Sequence, residues 1–257
     1  MVPWIENHAP LPCTSEALGP DSDAPGLLAA GGELSTARLE QAYRRGIFPW
    51  FGPGQPVLWW SPSPRMVLPV QGFKVSRSLG KTLRRFMASP GCEIRIDTAF
   101  ERVIHACSTT PREGQSGTWI VPAMVQAYTA WHRAGRVHSV ETWIDGELAG
   151  GLYCVAIGRM VFGESMFAHR TDASKIALAA LVAWSRSRGV TLIDCQQNTR
   201  HLASLGAHEI PRGAFEEHLA RSTPLPDLED WSYHRSHWSQ LPSLADARPE
   251  PAPLEPT

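Results

Sequence analysis

Residues 137–167 read VHSVETWI-DG-ELAGGLYCVAI-GR-MVFGESMF, and a period of two runs through them. Val137–Ile144 is expected as a strand, Asp145-Gly146 as a two-residue hairpin turn, and Leu148–Ile157 as the returning strand. Gly158-Arg159 then turns the chain into Met160–Phe167, giving a three-stranded meander. A helix opens at Asp172 or Ser174 and runs to about Arg188. Ile176, Leu178, Leu181, Val182 and Trp184 make it apolar on most faces, and Gly189 ends it. Val190–Gln196 is a further strand, so strand, buried helix and strand form one parallel crossover. The fold class this predicts is α+β, built on a mixed sheet.

Alternation also places the polar groups. Met160, Phe162, Glu164 and Met166 share one face of their strand, which sets a carboxylate in an apolar row. Val190, Leu192, Asp194 and Gln196 share a face in the same way, with Asp194 and Gln196 about 6.6 Å apart along the strand. Cys195 is expected on the opposite side, in the core. Glu164, Asp194 and Gln196 all lie near the carboxyl ends of neighbouring parallel strands, where open sheets place their ligands. One cleft holding all three, with an apolar wall, suits a cationic substrate, because a buried carboxylate needs a partner. His138 and His201 are read as structural.

Upstream, Ser76–Phe86 is a helix with two unlike sides. At about 100° per residue, Arg77, Lys81, Arg84 and Arg85 fall on one stripe, and Leu79, Leu83 and Phe86 on the other. Four cations with no acid between them make a face suited to phosphates. Gly80-Lys81-Thr82 imitates the end of a nucleotide-binding phosphate loop, but Val75 stands where its first Gly is required. Residues 77–82 match a coenzyme A pyrophosphate turn only in part. Before residue 65 the chain changes character. Ser35 caps a short helix over about 36–45, closed by Gly46, and an aromatic stretch punctuated by Pro follows, containing Trp50, Trp59 and Trp60. The expected organisation is a small N-terminal module over 1–64, a larger domain over 65–235, and a mobile Pro-rich tail over 236–257.

Composition narrows the partners. The 257 residues carry 24 basic and 25 acidic side chains, distributed unevenly. Residues 1–37 hold five acids and no base, residues 223–257 six acids and two bases, and the body between them 22 bases and 14 acids. A cationic body with acidic ends points to an anionic partner such as nucleic acid. Five Cys without a C-x-x-C pair argue against a disulfide framework and a zinc cluster, and the His spacing offers no metal site. No metal and no cofactor are expected. No apolar run is long enough to span a membrane and no targeting segment is recognised, so a cytosolic protein is expected.

Ordered blocks of residues then carry a resemblance over about 26–221. Residues 26–32 (GLLAAGG), 43–51 (YRRGIFPWF), 58–62 (LWWSP), 117–120 (GTWI), 138–141 (HSVE), 163–167 (GESMF), 173–175 (ASK), 193–196 (IDCQ) and 201–207 (HLASLGA) resemble the leucyl/phenylalanyl-tRNA-protein transferases. The resemblance implies transfer of Leu or Phe, and less readily Met, from aminoacyl-tRNA to proteins beginning with Arg or Lys, which marks them for N-end-rule degradation. It also implies that the larger domain is similar to the acetyltransferase-like (GNAT-like) fold. Cys154 departs from the Gly usual in the family, Glu33 and Ser63 from its Asp.

By the same resemblance Asp194 holds the Gln196 amide, whose carbonyl oxygen draws a proton from the acceptor's α-ammonium, and Glu164 binds the cationic acceptor end. Trp50, Trp119, Met166, Leu178, Leu181 and Ile193 match positions near the aminoacyl or adenosine pocket, and Arg77, Lys81, Arg84 and Arg85 match the acceptor-stem contact. An aminoacyl ester is already activated, so alignment of the amine and stabilisation of the oxyanion suffice. A monomer is expected. The alternatives are an acyl-CoA-dependent N-acyltransferase and a tRNA-binding module without catalysis.

Overall fold

The computed structural model describes residues 2–110, 120–241 and 244. It has the expected α+β organisation, a small N-terminal sheet beside a larger mixed one. The small sheet comprises β1 (Trp4–Ile5), β2 (Leu27–Gly31), β3 (Phe48–Pro49) and β4 (Leu58–Trp60), in the order β1-β2-β4-β3. Its strands are short because Pro and Gly interrupt every run, and a missing N–H or side chain ends a ladder. Between β2 and β3 lies α1 (Thr36–Tyr43), whose first turn is held by the Ser35 hydroxyl accepting the Arg38 N–H at 3.2 Å. Gly46, with φ of 72°, turns the chain beyond the helix.

The larger sheet begins at residue 65. Its seven strands are β5 (Arg65–Pro69), β6 (Cys92–Ile96), β7 (Val137–Ile144), β8 (Glu147–Ile157), β9 (Met160–Ala168), β10 (Leu192–Gln196) and β11 (His208–Ile210), in the order β11-β5-β10-β9-β8-β7-β6. β7, β8 and β9 form the antiparallel meander, with Asp145-Gly146 as its first turn. α5 (Ala173–Ser187) crosses from β9 to β10, and those two strands pair parallel. That pairing is brief. Val161 faces Ile193 and Phe162 faces Asp194, after which the strands separate.

Helices cover both faces. α2 (Arg77–Ala88) and α5 pack on one side with Val161, Leu152 and Ile193. α1, α3 (Phe100–Thr109), α4 (Pro122–Arg133), α7 (Arg212–Ser222) and the small sheet pack on the other, with Phe162, Tyr153 and Phe167. The short α6 (Arg200–Ser204) follows β10. Past Pro224 the chain runs on to a 3-10 turn at Arg235–Gln240. Trp238 and Leu241 are buried there, and Trp238 meets Phe86 of α2 at 6.4 Å between ring centres. The packed chain therefore continues past the expected boundary at 235, as far as Leu241. Of the tail expected to be mobile, residues 242, 243 and 245–257 lie outside the described residues.

The His138-Ser139-Val140-Glu141 block on β7 is structural. Glu141 is fully buried and accepts from Ser139 Oγ at 2.8 Å, Trp143 Nε1 at 2.9 Å, the Ala99 N–H at 2.7 Å and the Thr98 hydroxyl. It thereby anchors the start of α3. His138 Nδ1 donates to Asp97 Oδ2 at 2.6 Å, and the ring stacks on Trp231 at 3.6 Å. A carboxylate with four donors is stable in the interior, whereas four donors without it are not. Glu141→Ala is expected to destabilise the fold by about 2–5 kcal/mol, read as a lowered urea midpoint with an unchanged slope.

Candidate active site

The gap where β9 and β10 part opens into a cavity of about 690 Å³. Glu164, Gln196, Trp50, Met166, Leu178, Leu181 and Ile193, seven of the residues singled out in the sequence, line it. Two local irregularities make this possible. Opposite the β8 pair Tyr153 and Cys154, β9 offers Ser165 and Gly163, and Glu164 between them has no partner. This bulge advances the pleat by one residue. Met160, Phe162 and Glu164 therefore point toward α1 and α4, but Met166 turns to the α5 face, not to the face of Glu164 as strict alternation predicted.

The second irregularity is at Gln196. Its φ is 55°, in the left-handed region, and the Gln197 N–H donates to the Cys195 carbonyl at 2.7 Å, closing a three-residue turn. A side chain in that region costs roughly 1–3 kcal/mol of backbone energy. The turn swings Gln196 off the Asp194 face and into the cavity. Cys195, expected in the core, also lines the cavity and is only half-buried. Burial pushes its thiol far above the ordinary range, with the Asp194 charge adding to the rise, so it is held protonated.

Asp194 stands behind the wall. It is 0% exposed and Arg65, on β5, is 1% exposed. Arg65 Nε donates to Asp194 Oδ1 at 2.8 Å and Nη2 to Oδ2 at 2.6 Å, a two-point grip. Asp194 Oδ1 also accepts the backbone N–H of Gln196 at 3.0 Å. The Gln196 side chain points elsewhere, its Nε2 donating to Glu164 Oε1 at 3.2 Å. Asp194 thus fixes the Gln196 backbone, where the resemblance implied a hold on its amide side chain.

Glu164 is half-buried and held by hydroxyls. Tyr43 of α1 donates to Oε1 at 2.8 Å and Tyr128 of α4 approaches Oε2 at 3.5 Å, while the two tyrosine oxygens lie 2.5 Å apart. Burial is the main cause that raises the Glu164 carboxyl to about 8. The negative Asp194 adds to the rise, and the Tyr43 and Tyr128 bonds and the Arg65 charge oppose it. Burial beside that carboxylate raises both tyrosines well above the usual phenol value.

Sequence reasoning passed over Tyr43, Tyr128 and Arg65. Tyr43 opens the 43–51 block with no role given to it, and Tyr128 and Arg65 fall in segments for which the sequence offers no assigned element. It also passed over Gln197, Thr199 and Arg200 at the cavity mouth. His201, read as structural, lines the same mouth, where burial and then the Lys175 charge lower its basicity.

Of the aromatic set, Trp50 reaches the cavity and meets Trp60 edge-on at 5.2 Å, while Trp59 is fully buried. Trp119 lies outside the described residues. Arg77, Lys81 and Arg85 are exposed along α2 and Arg84 is half-buried. Among the described residues no carboxylate oxygen lies within 4.0 Å of any of the four. α2 packs on the same face as α5, and Thr82 donates to Asp172, the residue that begins α5, at 3.3 Å.

Residues 67–220 match the family model of the leucyl/phenylalanyl-tRNA protein transferase, and residues 32–63 match that of its N-terminal domain. The chain is 66% identical to a leucyl/phenylalanyl-tRNA--protein transferase of Methylibium petroleiphilum, over 98% of this chain and 95% of that one. It is 61% identical to one of Leptothrix cholodnii, over 98% of this chain and 100% of that one. Among solved structures, a GCN5-related N-acetyltransferase from Kribbella flavida overlaps 66% of this chain and 59% of its own, with 12% identity and a TM-score of 0.34. With its cavity between parting strands and its two matched segments in register, the chain belongs to the leucyl/phenylalanyl-tRNA protein transferase family.

Proposed function

We propose that the protein moves Leu or Phe, and less readily Met, from aminoacyl-tRNA to the α-amino group of proteins that begin with Arg or Lys, acting as a cytoplasmic monomer and marking the acceptors for N-end-rule degradation. The observation that carries this reading is one cavity with two unlike walls. Met166, Leu178, Leu181 and Ile193 offer an apolar recess to a side chain, and Glu164 and Gln196 stand beside it with hydrogen-bonding groups. A branched or aromatic side chain fits the first wall and an ammonium group the second.

The ester to be cleaved is already activated, so the site has to align the acceptor nitrogen with the ester carbonyl carbon. Gln196 donates from its nitrogen to Glu164, which leaves its carbonyl oxygen for the acceptor's ammonium hydrogens. Trp50 at the rim supplies a flat face for the terminal adenine. The cations of α2 follow the acceptor stem. No helix of the described residues is long and apolar enough to cross a membrane.

Radiolabelled Leu-tRNA incubated with a Lys-started peptide is expected to yield labelled peptide without ATP. Gln196→Ala should lower that rate by about 100-fold or more, the scale on which one aligned polar group acts in a reaction of this kind. Saturable binding of acetyl-CoA in place of transfer would support the N-acyltransferase alternative, and tRNA binding without turnover the non-catalytic one. Arg77→Glu combined with Arg85→Glu should weaken tRNA binding and make the dependence of log affinity on log salt shallower by about two, one for each phosphate that is no longer neutralised. An unchanged salt slope would remove α2 from the tRNA surface.

A further inference from the structure

We propose that Glu164 is the proton acceptor for the incoming α-ammonium, and that the joined hydroxyls of Tyr43 and Tyr128 are positioning groups that hold its carboxylate for that step. The inference rests on the transferase reading and deepens it. Three buried or half-buried carboxylates surround this part of the fold, and their partners differ. Asp194 has the Arg65 guanidinium, and Glu141 has four donors of its own. Among the described residues Glu164 has no Lys, Arg or His nitrogen within 4.0 Å. Its Oε1 accepts from Tyr43 and Gln196, while Oε2 has only the long 3.5 Å approach of Tyr128. A carboxylate with spare lone pairs therefore lines a cavity, beside an amide that already gives it one of its two N–H donors.

The alternative base is the Gln196 carbonyl. A neutral amide oxygen orients an ammonium group well but holds a proton poorly. The carboxylate is the stronger base, and the two groups are linked at 3.2 Å, so an ammonium between them meets both. One N–H bond of the ammonium breaks and an O–H bond forms on Glu164, leaving a neutral amine. The amine lone pair attacks the ester carbonyl carbon. As the C–O bond breaks, a second nitrogen proton passes to the departing ribose oxygen. The amide nitrogen keeps one hydrogen, and Glu164 returns its proton to solvent, so no further reactant is consumed.

The surroundings suit this exchange. Tyr43 and Tyr128 face Glu164 from α1 and α4, Arg65 and Asp194 from β5 and β10, and Cys154 from β8, with Arg200 and His201 across the cavity. Together burial and these neighbours bring the carboxyl to about 8, close to the ordinary range of an α-ammonium, about 7.7–8.0. Transfer between the two is then nearly level in energy, the condition under which general-base catalysis is efficient. Tyr43 opposes the rise by stabilising the charged carboxylate. Loss of its hydroxyl moves the Glu164 titration further up.

The test is single-turnover transfer of Leu from Leu-tRNA to a Lys-started peptide at saturating acceptor, followed from about pH 6 to about pH 9. Glu164→Gln should slow transfer by about 100-fold near neutral pH, and the deficit should narrow by roughly six- to tenfold by about pH 9, where the free amine is already neutral. Tyr43→Phe should displace the acid limb of the rate profile to higher pH. A Glu164→Gln deficit that is the same at every pH and appears in the acceptor KM would overturn the inference, leaving Glu164 an anchor only. Should Glu164→Gln fail to fold, Tyr43→Phe decides, since a purely structural role lowers the rate equally at all pH values. Absence of transfer by the unsubstituted protein overturns the transferase reading itself, whereas transfer with a pH-independent deficit overturns only the proton assignment.

Discussion

The buried ion pair of Arg65 and Asp194 is the constraint from which the rest of the site follows. Arg65 makes two bonds to Asp194, a third to the Gly46 carbonyl at 3.1 Å, and lies 4.7 Å from the ring centres of both Phe48 and Phe215. One side chain thereby ties β10 of the large sheet to the turn after α1 and to α7. A pair so deeply buried gains little net stability, because removing two ions from water offsets most of their attraction. Either ion left alone costs about 3–5 kcal/mol. What the pair supplies is direction. Asp194, immobilised by Arg65, has a lone pair on Oδ1 left for the Gln196 N–H, and that bond holds the left-handed turn that sends Gln196 into the cavity.

The same dependence reaches Glu164. Gln196 can donate to its carboxylate only from the turned position, and Tyr43 can donate only if α1 is seated, which the Arg65 bond to Gly46 secures just beyond the same end of that helix. The small N-terminal sheet is therefore part of the site's framework. Its Phe48 packs on the guanidinium and its neighbour Trp50 forms the cavity rim.

Periodicity makes much of this architecture legible in the residues alone. The meander, the Asp145-Gly146 turn, the buried crossover helix and the cap at Ser35 each have a local cause, so each leaves a local trace. Departures from regularity leave none. Nothing in Gly163-Glu164-Ser165 or Cys195-Gln196-Gln197 announces a bulge or a left-handed residue, because those conformations are imposed by partners far away in sequence. Arg65 acts on Asp194 across 129 positions and Tyr43 on Glu164 across 121. An alternation rule carried through such points assigns Met166 and Gln196 to the wrong faces.

Those two departures also explain how one site serves two unlike substrates. An unbroken sheet keeps its faces apart, so a recess on the α5 side would never meet a polar group on the α1 and α4 side. Parallel pairing of β9 with β10 ends at Phe162 and Asp194, and immediately beyond it the bulge and the turn bring side chains from both faces to the same opening. Met166, Leu178 and Ile193 enter it from one side, Glu164 and Trp50 from the other, and Gln196 from the edge between them. On the reading proposed above, an aminoacyl side chain seated in the first group would present its ester at the edge, within reach of an amine held by the second. Alignment of two reactants needs no moving part here: it follows from where the hydrogen-bond ladder stops.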